Sequence, residues 1–272
     1  MTGNGRRPFL LLTMMAFGFA FLYAPIVLLI VYSFNESRLV TVWSGFSTRW
    51  YGELLHNQQM LGAAWLSLRI ATVNATLAVI LGTMAGVVLA RYRRFLGRGL
   101  FAVLIASPLV MPEVILGLSL LLLFVAMEGW IGWPEGRGAN TIVIAHVTFS
   151  MAYVAVIVQA KLAAFDESLE EAAMDLGARP LTVFLSITLP LIAPALIAGW
   201  LLAFTLSFDD LVIASFVAGP GSTTLPMVVY SSVRLGVSPQ INALATLIIV
   251  AVGVIITTAG WLLYRRDRTE RA

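Results

Sequence analysis

Four side chains that are acids or arginines lie inside otherwise apolar stretches of this sequence. They are Arg69, Glu113, Asp209 and Asp210. Charged groups are costly inside a bilayer, and those found there usually mark a route for an ion or a charged substrate. Three acids against one base leave an excess of negative charge, which suits a cationic cargo better than a neutral sugar or an anion. These acids are therefore the first candidates for a substrate pathway.

The same residues also allow a purely structural interpretation. Arg69 could pair with one of the two aspartates and lock two helices together, and burial could keep Glu113 as a neutral acid. Adjacent residues on a helix point about 100° apart, so at most one aspartate should face a pore directly. The sequence leaves both interpretations open.

Aromatic side chains could assist the acids through cation–π contacts with a cationic cargo. The candidates are Phe149, Tyr153, Trp200, Phe204 and Phe208. The last three are spaced four residues apart and should form one stripe along a helix. The alternative for each of them is an ordinary role in helix packing or lipid contact.

Composition sets the class of protein that holds these groups. Of the 272 residues, 60% are hydrophobic and only 11% are charged, and the mean hydropathy is +0.92. This balance is typical of an all-α, polytopic membrane protein, here a single transmembrane domain over residues 1–272. The lack of cysteine excludes a disulfide framework and a thiol nucleophile. His56 and His146 lie too far apart to indicate a metal site, so we expect no bound metal.

Six stretches are long and apolar enough to cross a bilayer as helices. They cover approximately residues 9–34, 63–90, 100–127, 141–163, 191–217 and 241–264. Pro108 and Pro112 remove two backbone donors in the third span and should break or kink it just before Glu113. Broken helices in membranes are tolerated where protein covers them or where they line a cavity. The break therefore adds to the interest of Glu113.

Basic residues fall mostly on one side of these spans. The two terminal segments, the connection 91–98 and the polar stretch before Pro190 together hold 12 of the 17 basic residues. By the positive-inside rule, both termini and that polar stretch should be cytoplasmic. We therefore expect the chain to cross a membrane several times.

The polar loop 166–190 carries the most specific pattern in the chain. Its signature positions are Glu171, Ala172, Ala173, Gly177, Ile187, Leu189 and Pro190. Their spacing resembles the cytoplasmic signature loop of bacterial ABC-importer permeases. The resemblance implies a short coupling helix that docks in a cleft of a separate ATPase subunit.

Several signature residues have a physical role in such a loop. The charge of Glu171 is favourable near the N-terminal end of a helix, and the two alanines allow close approach of a partner. Gly177 permits a sharp turn between two short helices, and Pro190 is expected to start the next span.

The resemblance covers nearly the whole chain, from Tyr23 to about Thr258. Residues 108–120, 201–221 and 238–246 are similar to polyamine ABC-importer permeases, and most of all to the second inner-membrane permease of putrescine importers. This implies a type I ABC-importer permease fold and a non-catalytic subunit that passes a polyamine, putrescine first of all, into the cytoplasm. Spermidine or an opine-type amine is the alternative cargo. One departure is Glu113, where aspartate is expected in close relatives, and it bears on fine substrate choice.

The family also implies a location in a bacterial inner membrane, which the chain would cross several times, and an assembly there. It would contain a second homologous permease as heterodimer partner, two ATPase subunits and a periplasmic polyamine-binding protein. The sequence has no Walker phosphate loop, so ATP and magnesium would bind to the ATPase subunits. We expect no cofactor bound directly to this chain and no nucleic-acid partner.

Two other classes of function fit the sequence less well. A membrane-embedded enzyme would need a catalytic constellation, and Ser207, close to Asp209, is expected to lack a histidine partner. A self-sufficient secondary carrier would need inverted repeats and usually more spans.

Overall fold

The structure is a computed structural model that describes residues 6–39, 42–92, 94–235 and 238–270. Most of these residues are helical, and the bridge between Asn35 and Phe46 is the one β-type pairing among them. The helices are α1 Arg6–Tyr32, α2 Arg49–His56, α3 Gln58–Arg91, α4 Arg98–Val110, α5 Glu113–Ile131, α6 Ala139–Ala163, α7 Ser168–Asp175, α8 Pro180–Val183, α9 Leu189–Phe208, α10 Val212–Val217, α11 Leu225–Leu235 and α12 Pro239–Glu270. A π-helical turn, Phe184–Thr188, joins α8 to α9.

Five helical stretches in the described residues are long and apolar enough to cross a membrane. They are Leu10–Tyr32, Gln58–Arg91, Glu113–Ile131, Ala139–Ala163 and Pro180–Phe208. Helix α12 supplies a sixth candidate, whose apolar part Pro239–Val254 is shorter. This agrees with the predicted all-α membrane protein with six spans.

The predicted third span, residues 100–127, is two helices rather than one. Helix α4 ends at Val110, Met111 is extended, and α5 begins after Pro112. Proline disfavours a helical conformation in the residue before it, which explains the extended Met111. Pro108, by contrast, is accommodated inside α4. The predicted break is therefore confirmed, and it lies at the second proline.

The predicted fifth span, residues 191–217, is displaced toward the N-terminus. Continuous helical structure runs over Pro180–Phe208, and a short gap then separates α9 from α10. The expectation that Pro190 starts the span is wrong, because Pro190 lies inside this stretch, in the first turn of α9. In the π turn, the Leu189 N–H donates to the Phe184 carbonyl. Pro190 has no N–H with which to continue the usual α pattern.

The chain forms two compact units, and residues 62–228 are the larger. Its centre is α6, against which α4, α9 and α10 pack. Glycines let α3 approach α6 closely: a Cβ on Gly82 would lie 2.6 Å from Val154 Cβ, and one on Gly86 would lie 2.8 Å from the Ala155 carbonyl oxygen. Every candidate site residue named above belongs to this unit.

The smaller unit contains residues 1–61 and 229–272. In it, α12 packs against α1 and α2, and the Asn57 side chain donates to Gln240 Oε1 at 2.8 Å. The Trp50 indole donates to the Asn35 carbonyl at 2.6 Å. This bond fixes the connection between α1 and α2.

Candidate functional site

The signature loop, residues 166–190, folds into two short helices with a glycine between them. Helix α7 carries Glu170 and Glu171 in its first turn, where negative charge is favourable for the helix dipole. Gly177 has φ +88°, a left-handed conformation that favours glycine, and α8 starts at Pro180. The turn at Gly177 is therefore as predicted.

Asp166 shapes the entry to this loop. Its carboxylate accepts a hydrogen bond from the Ser168 N–H at 3.0 Å. This bond, and a second one with the Ser168 side chain, hold the pKa of Asp166 below its usual value. The carboxylate thereby fixes the turn that leads into α7.

Much of the loop surface is open. Glu171, Ala172, Gly177 and Pro190 are exposed, whereas Ala173, Ile187 and Leu189 are half-buried. Leu176 is 90% exposed and Leu181 is 69% exposed. Large apolar side chains clustered on a polar loop are typical of a protein-binding surface.

An arginine at the end of α3 ties the loop to the apolar helices. The Arg91 guanidinium lies 3.1 Å from Glu167 Oε1 and 3.0 Å from Glu170 Oε1. The Thr188 hydroxyl donates to the same Glu170 oxygen at 2.6 Å. We call these four residues the Arg91 clasp. It borders a cavity of about 320 Å³ and links α3, α7 and the π turn.

Glu113 is the first residue of α5, directly after the break at Pro112, and it is exposed. Helix α4 leads to this break over about 18 Å at 1.5 Å per residue. That is more than half the thickness of a bilayer's hydrocarbon core, roughly 30 Å. A carboxylate at such a depth is expected to meet water, cargo or another subunit rather than lipid.

Asp209 and Asp210 lie at the second break, between α9 and α10. Asp209 is exposed, whereas the Asp210 side chain is only 8% exposed. The Asp210 carboxylate caps α10 by accepting from the Ile213 N–H at 3.2 Å and from the Ala214 N–H at 2.7 Å. This division agrees with the expectation that at most one of the two acids should face a pore.

The two breaks are neighbours because α5 packs against α10. A Cβ on Gly117 would lie 3.3 Å from Ile213 Cα and 2.8 Å from the Phe216 ring. Gly117 follows Glu113 by about one helical turn of α5. Asp209 directly follows α9, and Ile213 lies four residues later in the chain, in α10. Each exposed carboxylate thus lies four residues before a position at which α5 and α10 touch.

A histidine holds the second break from α6. His146 Nδ1 lies 2.7 Å from Ser207 Oγ, and its Nε2 lies 3.1 Å from Asp210 Oδ2. The expectation that Ser207 lacks a histidine partner is therefore wrong, because the packing of α6 on α9 brings the two residues together. Ser207 is 5% exposed and His146 is 2% exposed. Because Asp210 caps α10, the three residues form a buried hydrogen-bonded cluster rather than an open nucleophilic site.

Arg69 does not make the predicted pair with an aspartate. Within the described residues no ion pair involves Arg69, which is exposed and borders a cavity of about 490 Å³ with Trp133 and Asn140. Along α3, Arg69 and Arg91 are about 33 Å apart. This is close to the thickness of the hydrocarbon core, so the two arginines suit its opposite interfaces. Arg69 is thus better placed at an interface than deep inside the second span.

The predicted aromatic stripe is present on α9. The ring centroids of Trp200 and Phe204 are 5.3 Å apart and those of Phe204 and Phe208 are 5.7 Å apart, with nearly parallel planes. All three are half-buried. Phe149 is only 7% exposed and packs edge-on against the half-buried Tyr153. The stripe can therefore meet a cargo or another subunit, whereas Phe149 packs internally, and the cation–π roles stay predictions.

Comparison with known proteins supplies the family. A family model described as "Binding-protein-dependent transport system inner membrane component" matches residues 78–271. The chain belongs to this family. The permease is 64% identical over 251 residues to the putrescine transport system permease protein PotI of Escherichia coli (strain K12), which covers 92% of the chain and 89% of PotI. It is 42% identical over 252 residues to the spermidine/putrescine transport system permease protein PotC of the same strain, covering 93% and 92%.

Solved structures share the fold of this permease. A chain of a bacterial ABC transporter involved in the import of the acidic polysaccharide alginate matches with a TM-score of 0.71 at 18% identity, covering 97% of this chain and 99% of that one. A chain of the MetNI methionine ABC transporter matches with a TM-score of 0.59 at 16% identity, covering 76% and 94%. At these identities the likeness concerns the fold alone. The predicted ABC-importer permease fold is confirmed.

The sequence does not predict the contacts of two residues that hold the permease together, Arg91 and His146. Arg91 has the position expected of a positive-inside residue, and its two acidic partners lie in a distant loop. His146 has no metal-ligand spacing to another histidine, so the sequence alone assigns it no binding partner. The signal that could have found His146 is its location inside an apolar span, where a polar side chain needs a partner.

Proposed function

We propose that this permease is a membrane subunit of an ATP-driven importer that passes putrescine from a periplasmic binding protein into the cytoplasm. The observation that carries the proposal is the 64% identity to a putrescine permease over 92% of the chain. The two helix breaks supply chemistry that agrees with it.

Putrescine is a short aliphatic diamine with an ammonium group at each end. Glu113 and Asp209 are exposed acids on neighbouring segments and could each receive one ammonium group. Asp210 contributes indirectly, because its carboxylate is occupied by α10 and His146. Phe204 and Phe208, with Trp200, offer an adjoining aromatic surface for cation–π contact. Tyr153 of α6 is a further candidate for such a contact, whereas Phe149 belongs to a separate buried apolar cluster.

Spermidine is the second candidate cargo. The 42% identity to a permease named for both spermidine and putrescine favours it over an opine-type amine. Spermidine has a longer chain and a third amine, so the spacing of acids along the pathway would decide between the two polyamines.

The chain itself would act as a non-catalytic subunit without a directly bound cofactor. Its partners would be a second homologous permease, two ATPase subunits that bind ATP and magnesium, and a periplasmic polyamine-binding protein. The signature loop would dock on an ATPase subunit through exposed residues such as Glu171, Ala172 and Leu176. Both termini and this loop would be cytoplasmic, as the distribution of basic residues favours.

Uptake of labelled putrescine by the reconstituted complex tests the cargo. We expect ATP-dependent uptake that unlabelled putrescine blocks at the lowest concentration, spermidine at a higher one, and an opine or a neutral sugar not at all. ATP-driven uptake of the opine or the sugar in preference to both polyamines would contradict the proposal.

A further inference from the structure

One imidazole ring holds the gap between α9 and α10. His146 lies on α6, Ser207 lies on the last turn of α9, and Asp210 lies in the gap itself. Asp210 accepts hydrogen bonds, so His146 Nε2 donates to it, and in the neutral ring the Ser207 hydroxyl donates to Nδ1. The ring therefore joins the end of one helix to the start of the next.

This contact is one of three that hold Asp210 inside the protein. Asp210 Oδ2 is shared between the Ala214 N–H at 2.7 Å and His146 Nε2 at 3.1 Å, while Oδ1 accepts from Ile213. With three donors, the Asp210 carboxylate is satisfied inside the protein. Asp209, its neighbour in sequence, is left exposed.

We infer that His146 is a positioning residue for cargo recognition: it holds Asp210 inward, and so leaves Asp209 as the one carboxylate that the second break offers to a cation. The inference rests on the proposed function, because it assumes that Asp209 faces a cationic cargo. It also assigns opposite roles to two adjacent and chemically identical side chains.

Two substitutions separate the two halves of the contact. In His146→Gln the amide nitrogen can reach the position of Nε2 and keep the bond to Asp210. In His146→Asn the shorter amide can reach only the position of Nδ1, on the side of Ser207. If the bond to Asp210 positions the break, His146→Asn should raise the KM for putrescine uptake about tenfold. His146→Gln should rescue most of that change, with similar amounts of assembled complex in both variants.

A thiol measurement tests the same claim without any cargo. The chain has no cysteine, so Asp209→Cys places a single thiol at the break. We would compare the rates at which a cationic and an anionic methanethiosulfonate reagent modify that thiol in the assembled complex. Loss of the His146 contact leaves Asp210 with two backbone donors and its side-chain charge less compensated, which should raise the cationic-to-anionic rate ratio several-fold in His146→Asn but not in His146→Gln.

The outcomes are distinct. Equal rate ratios in the parent and both His146 backgrounds would overturn the inference, as would failure of both variants to assemble, which a residue needed only for packing would cause. Modification of Ser207 by a fluorophosphonate probe would also overturn the inference, because such a reaction would show that Ser207 is an activated nucleophile. If the parent complex imports no putrescine, the proposed function fails, and the thiol rates still decide the role of His146.

Discussion

The Arg91 clasp should determine how firmly the signature loop is held against the apolar helices. We consider Arg91→Gln, which removes the charge that faces both Glu167 and Glu170 but keeps a polar side chain. Glu170 would keep its bond from Thr188 and lose its ionic partner. We therefore expect α7 to detach more often from the end of α3.

The magnitude follows from the geometry of the stronger pair. At 3.0 Å the Arg91–Glu170 attraction is about 5 kcal/mol for an effective dielectric constant of about 20. Desolvation of two side chains that are only 17% and 15% exposed offsets most of it, which leaves a net coupling of about 1–3 kcal/mol. The pair with Glu167 adds less than about 1 kcal/mol because Glu167 is 46% exposed. Since 1.4 kcal/mol is about a factor of ten, local opening should increase between about fivefold and about a hundredfold.

Hydrogen exchange of the α7 amides in the assembled complex measures this opening. Arg91→Gln and Glu170→Gln should each raise the exchange rate about tenfold, and the double variant should add little to either. Both should also raise the amount of ATP hydrolysed per putrescine imported. The matched control is Arg94→Gln, which removes an exposed arginine from the same basic connection. If exchange and ATP use in Arg91→Gln equal those in Arg94→Gln, the clasp does not hold the loop against the apolar helices.

Three further predictions concern the loop, the core and the topology. Gly177→Asp and Glu171→Lys should abolish the stimulation of ATP hydrolysis by the loaded binding protein while the permease still inserts. The first substitution forces a side chain into φ +88°, and the second reverses a charge on the docking surface. Normal stimulation in both variants would contradict a docking role. Gly82→Leu should lower the amount of assembled permease, whereas Gly253→Leu should not. The reason is that a Cβ at Gly82 would lie 2.6 Å from Val154, and one at Gly253 would meet nothing within 4 Å. Equal yields on a blot would contradict the close packing of α3 on α6. A cysteine at Glu135 should react with a membrane-impermeant reagent in intact cells and a cysteine at Arg94 only after lysis, and the reverse pattern would invert the orientation.

The helical organisation was largely predictable because each span carries its own signal. Long apolar stretches predicted the membrane helices, and Pro112 predicted the break in the third span because proline lacks a backbone N–H. The turn in the signature loop was predictable for the same reason, since glycine at position 177 permits the left-handed backbone conformation that a sharp turn needs. The continuation of this helical stretch back to Pro180 was not, because the π turn before Pro190 depends on how the chain compensates for a missing hydrogen bond rather than on composition.

The side-chain partnerships of the site were harder to predict. Arg69, Asp209 and Asp210 suggested an ion pair by charge alone, but Asp210 is occupied by His146 and by two backbone amides of α10. That arrangement depends on the rotation of α6 against α9, which sequence spacing does not encode. The Arg91 clasp likewise joins residues that lie far apart in sequence. Local chemistry was therefore predictable, and contacts between distant segments were not.

We propose that the two exposed carboxylates at neighbouring helix breaks receive the ammonium groups of the cargo. The decisive measurement is uptake of labelled putrescine per assembled complex in Glu113→Gln, Asp209→Asn and the double variant, with the wild type and Glu128→Gln as references. Glu128 is also an acid of α5, near the end of the helix remote from the break. Removing one charge that meets the cargo should cost about 1–3 kcal/mol, so uptake at low putrescine concentration should fall between about fivefold and about a hundredfold in each single variant. The double variant should lose more than either single variant, and Glu128→Gln should match the wild type. Unchanged uptake in Glu113→Gln, Asp209→Asn and the double variant would contradict the account.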